Sequence, residues 1–206
     1  MVKTSAKGWI GEFLGSAHIF ASAVEDVLER KILDEVAGKQ ITHSQFRLLK
    51  MVELADTQTI RDVAIFLGIS NAAASKAVDK LVKKHFLLRE EAEVDRREIR
   101  LSLTDSSRKI LADYDRARDE KLARIFSDFS SDQLKDASIL LDRLSAGLVD
   151  HHDNPDDLCL QCGIYFRQRC VVRELAKRDC FFHQNRAARR GRVADVEPLP
   201  STVESE

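Results

Sequence analysis

No cysteine occurs in the first 158 of the 206 residues, and no apolar run approaches the length that a bilayer demands. Met1 to Lys7 is polar, so no export leader is read there. The expected compartment is the cytoplasm, where thiols stay reduced. Net charge is lacking as well: 33 Lys and Arg stand against 34 Asp and Glu. A chain of formal charge −1 has no overall pull on a polyanion, so attraction to nucleic acid must come from local asymmetry. Neither a nucleophile paired with a base nor a phosphate-cradling glycine loop is visible, which argues against an enzyme. What is present, 44% hydrophobic and 33% charged residues, is ordinary for a helix-rich globular chain of one domain with an appendage.

The chain is organised around Thr59 to Thr104. Thr59 offers a capping hydroxyl, and Ile60, Val63, Ala64 and Leu67 follow at helical spacing up to Gly68, a residue suited to a left-handed helix end. After a short turn at Ile69, Ser70 can cap a second helix from Asn71 to about His85. Ala74, Ala77, Val78, Leu81 and Val82 form its apolar stripe, while Asn71, Ala72, Ser75, Lys76, Lys80 and Lys83 fall largely outside it. A short helix pair whose second member is small-residued at its start and basic along its open face suits a DNA major groove. From Ser70 to Arg100, eight Lys or Arg face six Asp or Glu, a small positive excess. Arg100 to Leu103 alternates polar with apolar and reads as a strand; Ala92 to Arg97 reads as a charged hairpin tip before it.

In this region the sequence resembles the MarR family of bacterial regulators. The residues that carry the resemblance are Ser70, Ser75 and Val78-Asp79-Lys80-Leu81-Val82-Lys83-Lys84, then Leu87-Leu88-Arg89, Asp95-Arg96-Arg97 and Leu101-Ser102-Leu103-Thr104. It covers roughly Gly8 to Asp150 and implies a homodimer with recognition helices in adjacent major grooves and wing arginines in the minor groove. Base contacts are expected from Asn71, Ala72, Ser75 and Lys76, with Ser70 at the helix start. Lys80, Lys83 and Arg89 would hold phosphates, and Arg96 or Arg97, oriented by Asp95, would enter the minor groove. The family often binds small aromatic or phenolic effectors beside the reading head, although no residue here identifies one. His85 departs from the family pattern, which has glycine at that place; histidine tolerates positive φ better than most residues, so local strain is expected rather than a different fold.

Helical patterns flank the reading head. Trp9 to about Val36 carries an apolar face wider than a lone surface helix needs, and a dimer interface accounts for the excess. A supporting helix runs from Gln45 to about Glu53, started by Thr42 or Ser44, and His43 beside it is read as a surface or capping residue. Thr104 to Ser107 caps a helix to about Phe129, and Ser130-Ser131-Asp132 starts another through Leu148.

Beyond a polar, proline-containing linker at Asp150 to Asp157, all the cysteines fall within 22 positions: Cys159, Cys162, Cys170 and Cys180, spaced C-x2-C-x7-C-x9-C. A reducing compartment disfavours a disulfide framework and leaves a thiolate-ligated metal. Four thiolates satisfy a tetrahedral zinc or a [4Fe–4S] cluster. A single C-x2-C knuckle and the aromatics Tyr165, Phe166, Phe181 and Phe182 favour iron–sulfur, with zinc as the alternative. His151, His152 or His183 could replace one cysteine, and thiol–disulfide sensing without metal also stays open. A basic helix is expected over Val171 to Arg190, and a disordered tail from Val193.

The expected fold is mainly α with a small β wing. A dimerisation helix covers 1–40, a winged helix-turn-helix 41–104, further dimerisation helices 105–150, a cysteine-rich metal-binding extension 151–192, and a tail 193–206. The expected partners are double-stranded DNA and a second copy of the chain. The competing classes are a small iron–sulfur redox protein and a protein-binding adaptor.

Overall fold

Side-chain hydroxyls open five helices of this fold. In the computed structural model, which describes residues 3–54, 59–67, 69–91, 99–148 and 165, α1 (Lys3–Ala23) continues through a π-helical stretch (Val24–Lys31) into α2 (Ile32–Ala37). Then come α3 (His43–Leu54), α4 (Ile60–Leu67), α5 (Asn71–Lys83), β1 (Leu87–Glu91), β2 (Ile99–Leu103), α6 (Asp105–Phe126) and α7 (Ser131–Leu148).

Thr42 caps α3 reciprocally: its hydroxyl accepts from the Gln45 N–H at 3.3 Å, and Gln45 Oε1 accepts from the Thr42 N–H at 3.0 Å. Thr59 and Asp62 repeat the arrangement at α4, as do Ser130 and Gln133 at α7. Helix α3 thus begins two residues before the position that its apolar spacing predicts, because the cap decides the start. At the end of α2, Gly38 adopts φ +55° and its N–H reaches the Asp34 carbonyl at 3.0 Å, while Lys39 also lies at positive φ (64°).

The core gathers the facing residues of α2 to α6. Phe46, Leu49, Val63, Val78, Leu81, Leu87, Leu111 and Tyr114 are all fully enclosed. Phe46 and Tyr114 meet with ring centroids 4.4 Å apart, and the Tyr114 hydroxyl donates to the Leu28 carbonyl at 2.9 Å. One tyrosine therefore joins α6 both to α3 and to the π-helical stretch. The Lys50 ammonium on α3 is almost enclosed, and it bonds Glu53 at 2.9 Å and Asp115 of α6 at 2.6 Å. The charge is buried because two carboxylates meet it.

Strands β1 and β2 form a two-stranded antiparallel ladder with Leu87 opposite Leu103 and Arg89 opposite Leu101. Leu87, Leu101 and Leu103 are buried, which ties the wing's base to the core. The N-terminal helix behaves differently. Trp9 and Ile19 are 75% and 70% exposed, and Ile10, Leu14 and Phe20 are also exposed. On α7, Leu140, Leu141, Leu144 and Leu148 are exposed too. These faces lie outside the core of the single chain.

Candidate nucleic-acid interface

Helix α5 is fixed at both ends. Ser70 takes extended backbone angles, and its hydroxyl accepts from the Ala73 N–H at 3.2 Å. At the other end the Phe86 N–H reaches the Leu81 carbonyl at 2.9 Å and the His85 N–H reaches the Val82 carbonyl at 2.9 Å. This is a Schellman closure, with His85 at φ 58° in the place that glycine fills most cheaply. The strain expected at His85 is present, and the fold accommodates it. Buried Phe86 and Leu81 supply the apolar contact that accompanies this closure. The helix ends at Lys83, two residues before His85, because the backbone has already turned left-handed there.

At about 100° per residue, Ala72, Ser75, Lys76, Lys80 and Lys83 fall on the side of α5 turned away from buried Ala74, Val78 and Leu81, while Asn71 stands at the exposed first position, nearly in line with Val78. Ser70, Asn71, Ala72, Lys76, Lys80 and Lys83 are exposed, and Ser75 is half-buried. Helix α4 lies against α5, with Val63 and Ala64 buried. The result is a small-residued start and a basic flank presented to solvent.

Asp79 falls in the middle of that presented face. Its carboxylate would repel phosphate, but Arg89 from β1 meets it, Nη2 to Oδ1 at 2.6 Å. Arg89, expected to hold a phosphate, is thus engaged with an acid of α5, and the pair joins the wing to the reading helix. Sequence reasoning missed this link; the opposite charges ten residues apart were its only signal. Lys84 is likewise engaged, donating to the Gln40 carbonyl at 2.8 Å.

Asp95, Arg96 and Arg97 of the wing tip lie outside the described residues, as do Cys159, Cys162, Cys170 and Cys180. Among the described residues no group of three or more His, Cys, Asp or Glu gathers as a metal site would. His43 is half-buried, and its Nε2 lies 2.7 Å from Glu29, tying α3 to the π-helical stretch. Tyr165, expected to shield a cluster, packs against the core of the folded body. Among the described residues no helix is long and apolar enough to cross a membrane.

Comparison with known proteins agrees with this geometry. The MarR family model matches residues 41–99. YkoM of Bacillus subtilis, an uncharacterized HTH-type transcriptional regulator, is 26% identical over 134 residues, which is 65% of this chain and 85% of that protein. YvnA of the same organism, described in the same terms, is 31% identical over 100 residues, 47% of this chain and 64% of its own. A MarR family protein from Bacillus stearothermophilus superimposes with a TM-score of 0.57 at 17% identity, covering 70% of this chain and 98% of that one. That last likeness is one of fold.

Proposed function

Because the chain belongs to the MarR family through its residues 41–99, we propose that it is a homodimeric transcription regulator that reads a palindromic operator. The observation that carries this reading is the presented face of α5, capped at Ser70, small at Asn71 and Ala72, and basic at Lys76, Lys80 and Lys83. Small residues allow close approach to base edges, and the lysines release counterions from phosphates. The exposed apolar faces of α1 and α7 supply the surface that a second copy would cover. Two-fold symmetry then places half-sites about one helical turn apart. Arg96 or Arg97, oriented by Asp95, reads the minor groove in this scheme. A regulator of this kind performs no catalysis.

The test is a titration of the full chain against its own upstream promoter duplex at several salt concentrations. Lys80→Ala should weaken binding to all sequences and flatten the log–log salt slope by about 0.9 per lost phosphate contact. Asn71→Ala should change base preference at one position and leave the slope alone. Salt-independent or absent duplex binding would sink the reading and favour an adaptor role.

The cysteines enter as a metal site on spacing alone. Cys159, Cys162, Cys170 and Cys180 offer four thiolates, and a [4Fe–4S] cluster suits one C-x2-C knuckle with two wide spacings better than zinc does. Such a cluster supplies sensitivity to oxygen and iron supply, so operator affinity would follow the state of the cysteines. The second reading is a structural zinc held by the same four thiolates, with a small ligand as the signal. Anaerobic purification decides: iron and sulfide with air-sensitive operator binding support the first, and one zinc with air-insensitive binding supports the second.

A further inference from the structure

Tyr165 lies three residues after Cys162 and five before Cys170, and it is half-buried against the core. Its phenol shares its surroundings with Glu29 of the π-helical stretch and with Tyr114 and Arg118 of α6. Two of these already join parts of the fold, and the third adjoins an acid that does. Glu29 meets His43 of α3, and Tyr114 stacks on Phe46 of α3 while bonding the Leu28 carbonyl. Arg118 lies 3.0 Å from Asp115, the acid that holds Lys50 of α3. The phenol therefore sits where the π-helical stretch, α3 and α6 meet.

The hydroxyl is enclosed beside the Glu29 carboxylate, short of a well-formed hydrogen bond to it. Burial first, and then the negative charge of Glu29, holds its pKa far above that of an ordinary tyrosine. The group thus stays a protonated donor near a carboxylate. The same burial raises Tyr114, and Tyr165 is the next cause. An aromatic ring in such a place is an attachment, since a tail residue with no role on the body would stay in water.

We infer that Tyr165 is an intramolecular anchor that seats the cysteine-bearing segment on the junction of the π-helical stretch, α3 and α6, and passes the state of the neighbouring cysteines to the reading head. Three residues span at most about 11 Å and five about 18 Å, which bounds how far chain length lets Cys162 and Cys170 lie from the seated ring. Helix α3 contacts β2 and α4, which places the wing and the reading pair one element away. The anchoring half of this inference stands on Tyr165 alone; the signalling half rests on the sensory role proposed for the cysteines.

The experiment compares the full chain with Tyr165→Ala and Tyr165→Phe. Amide exchange is followed over Val24–Lys31 and around Tyr114, and operator affinity is measured before and after treatment with chelator and diamide. Tyr165→Ala should speed exchange at both places by about tenfold and lower the thermal midpoint by about 3 °C. It should also bring the affinity ratio between the treated and untreated states close to one. Tyr165→Phe, which keeps the ring and loses the donor, should fall between. Unchanged exchange in Tyr165→Ala overturns the anchor, whatever the DNA does. A wild-type affinity indifferent to the treatment overturns the sensory reading, and with it the signalling half, while faster exchange in Tyr165→Ala still supports the anchor. Faster exchange with an undiminished affinity ratio overturns the signalling half alone.

Discussion

The Thr104 hydroxyl donates to the His85 carbonyl at 2.9 Å and accepts from the Ser107 N–H at 3.3 Å, so one side chain holds the end of the reading helix to the start of α6. Ser107 returns the bond, its own hydroxyl donating to the Thr104 carbonyl at 2.9 Å from a fully buried position. Replacing Thr104 by Val keeps the volume and removes both polar links. The expected loss is about 1–2 kcal/mol, the sum of a helix cap and a solvent-exposed hydrogen bond. Urea unfolding checks it, and Thr104→Ser, which keeps the hydroxyl, should recover most of the loss.

His85 is the strained partner in that latch, at φ 58°. Glycine adopts this conformation without a Cβ penalty. His85→Gly should raise stability by about 0.5–1 kcal/mol, and His85→Val should lower it by more than that. Coincident urea midpoints for the three proteins would show that no strain is stored there.

Several of these features are legible in the sequence because they are local. Thr59, Ser70, Thr104 and Ser130 announce helix starts by residue type three positions before the N–H groups they serve, whereas the left-handed turn at His85 is implied only by the family resemblance, which has glycine there. The Arg89–Asp79 pair, the Lys50–Asp115 pair and the seat of Tyr165 are tertiary, so no spacing rule marks them. The π-helical stretch is hidden for another reason. A broad apolar face reads the same whether or not the helix widens by a residue within it. The reading face of α5 lies between these cases: its exposed set follows from 3.6-residue periodicity, but the neutralisation of Asp79 within it does not.

The Arg89–Asp79 pair has two separable effects. Both side chains are about a third or more exposed, at 32% and 42%, so a double-mutant cycle should find only about 0.2–1 kcal/mol of coupling. Its weight falls on DNA binding, where an unpaired Asp79 would sit among Lys76, Lys80 and Lys83. Arg89→Ala should therefore weaken promoter binding, and adding Asp79→Asn should restore much of it. Failure of the second substitution to restore affinity would mean that Arg89 itself grips a phosphate.

Lys50 is a different kind of pair, because its side chain is only 7% exposed. Lys50→Met fits the space but leaves Asp115 facing the core with Arg118 as its remaining partner at 3.0 Å. Breaking a fully buried pair costs about 3–5 kcal/mol; with Asp115 one-third exposed, the expected loss is about 1–3 kcal/mol. Adding Asp115→Asn should return part of it, and a double variant no better than Lys50→Met would deny the pairing its role.

The apolar face of α1 gives the plainest test of assembly. Leu14 is exposed and the core of the chain begins only at Leu28, so Leu14→Arg leaves every core contact in place. If a second copy covers this face, the wild-type chain sediments at twice its 23.3 kDa and its thermal midpoint rises with concentration. Leu14→Arg should then sediment as a single chain with a concentration-independent midpoint and an unchanged helical spectrum. Operator affinity should fall steeply in the same variant, because one reading helix per molecule loses the second half-site. A variant that still sediments as a dimer would move the interface to α7, where Leu144→Arg repeats the test.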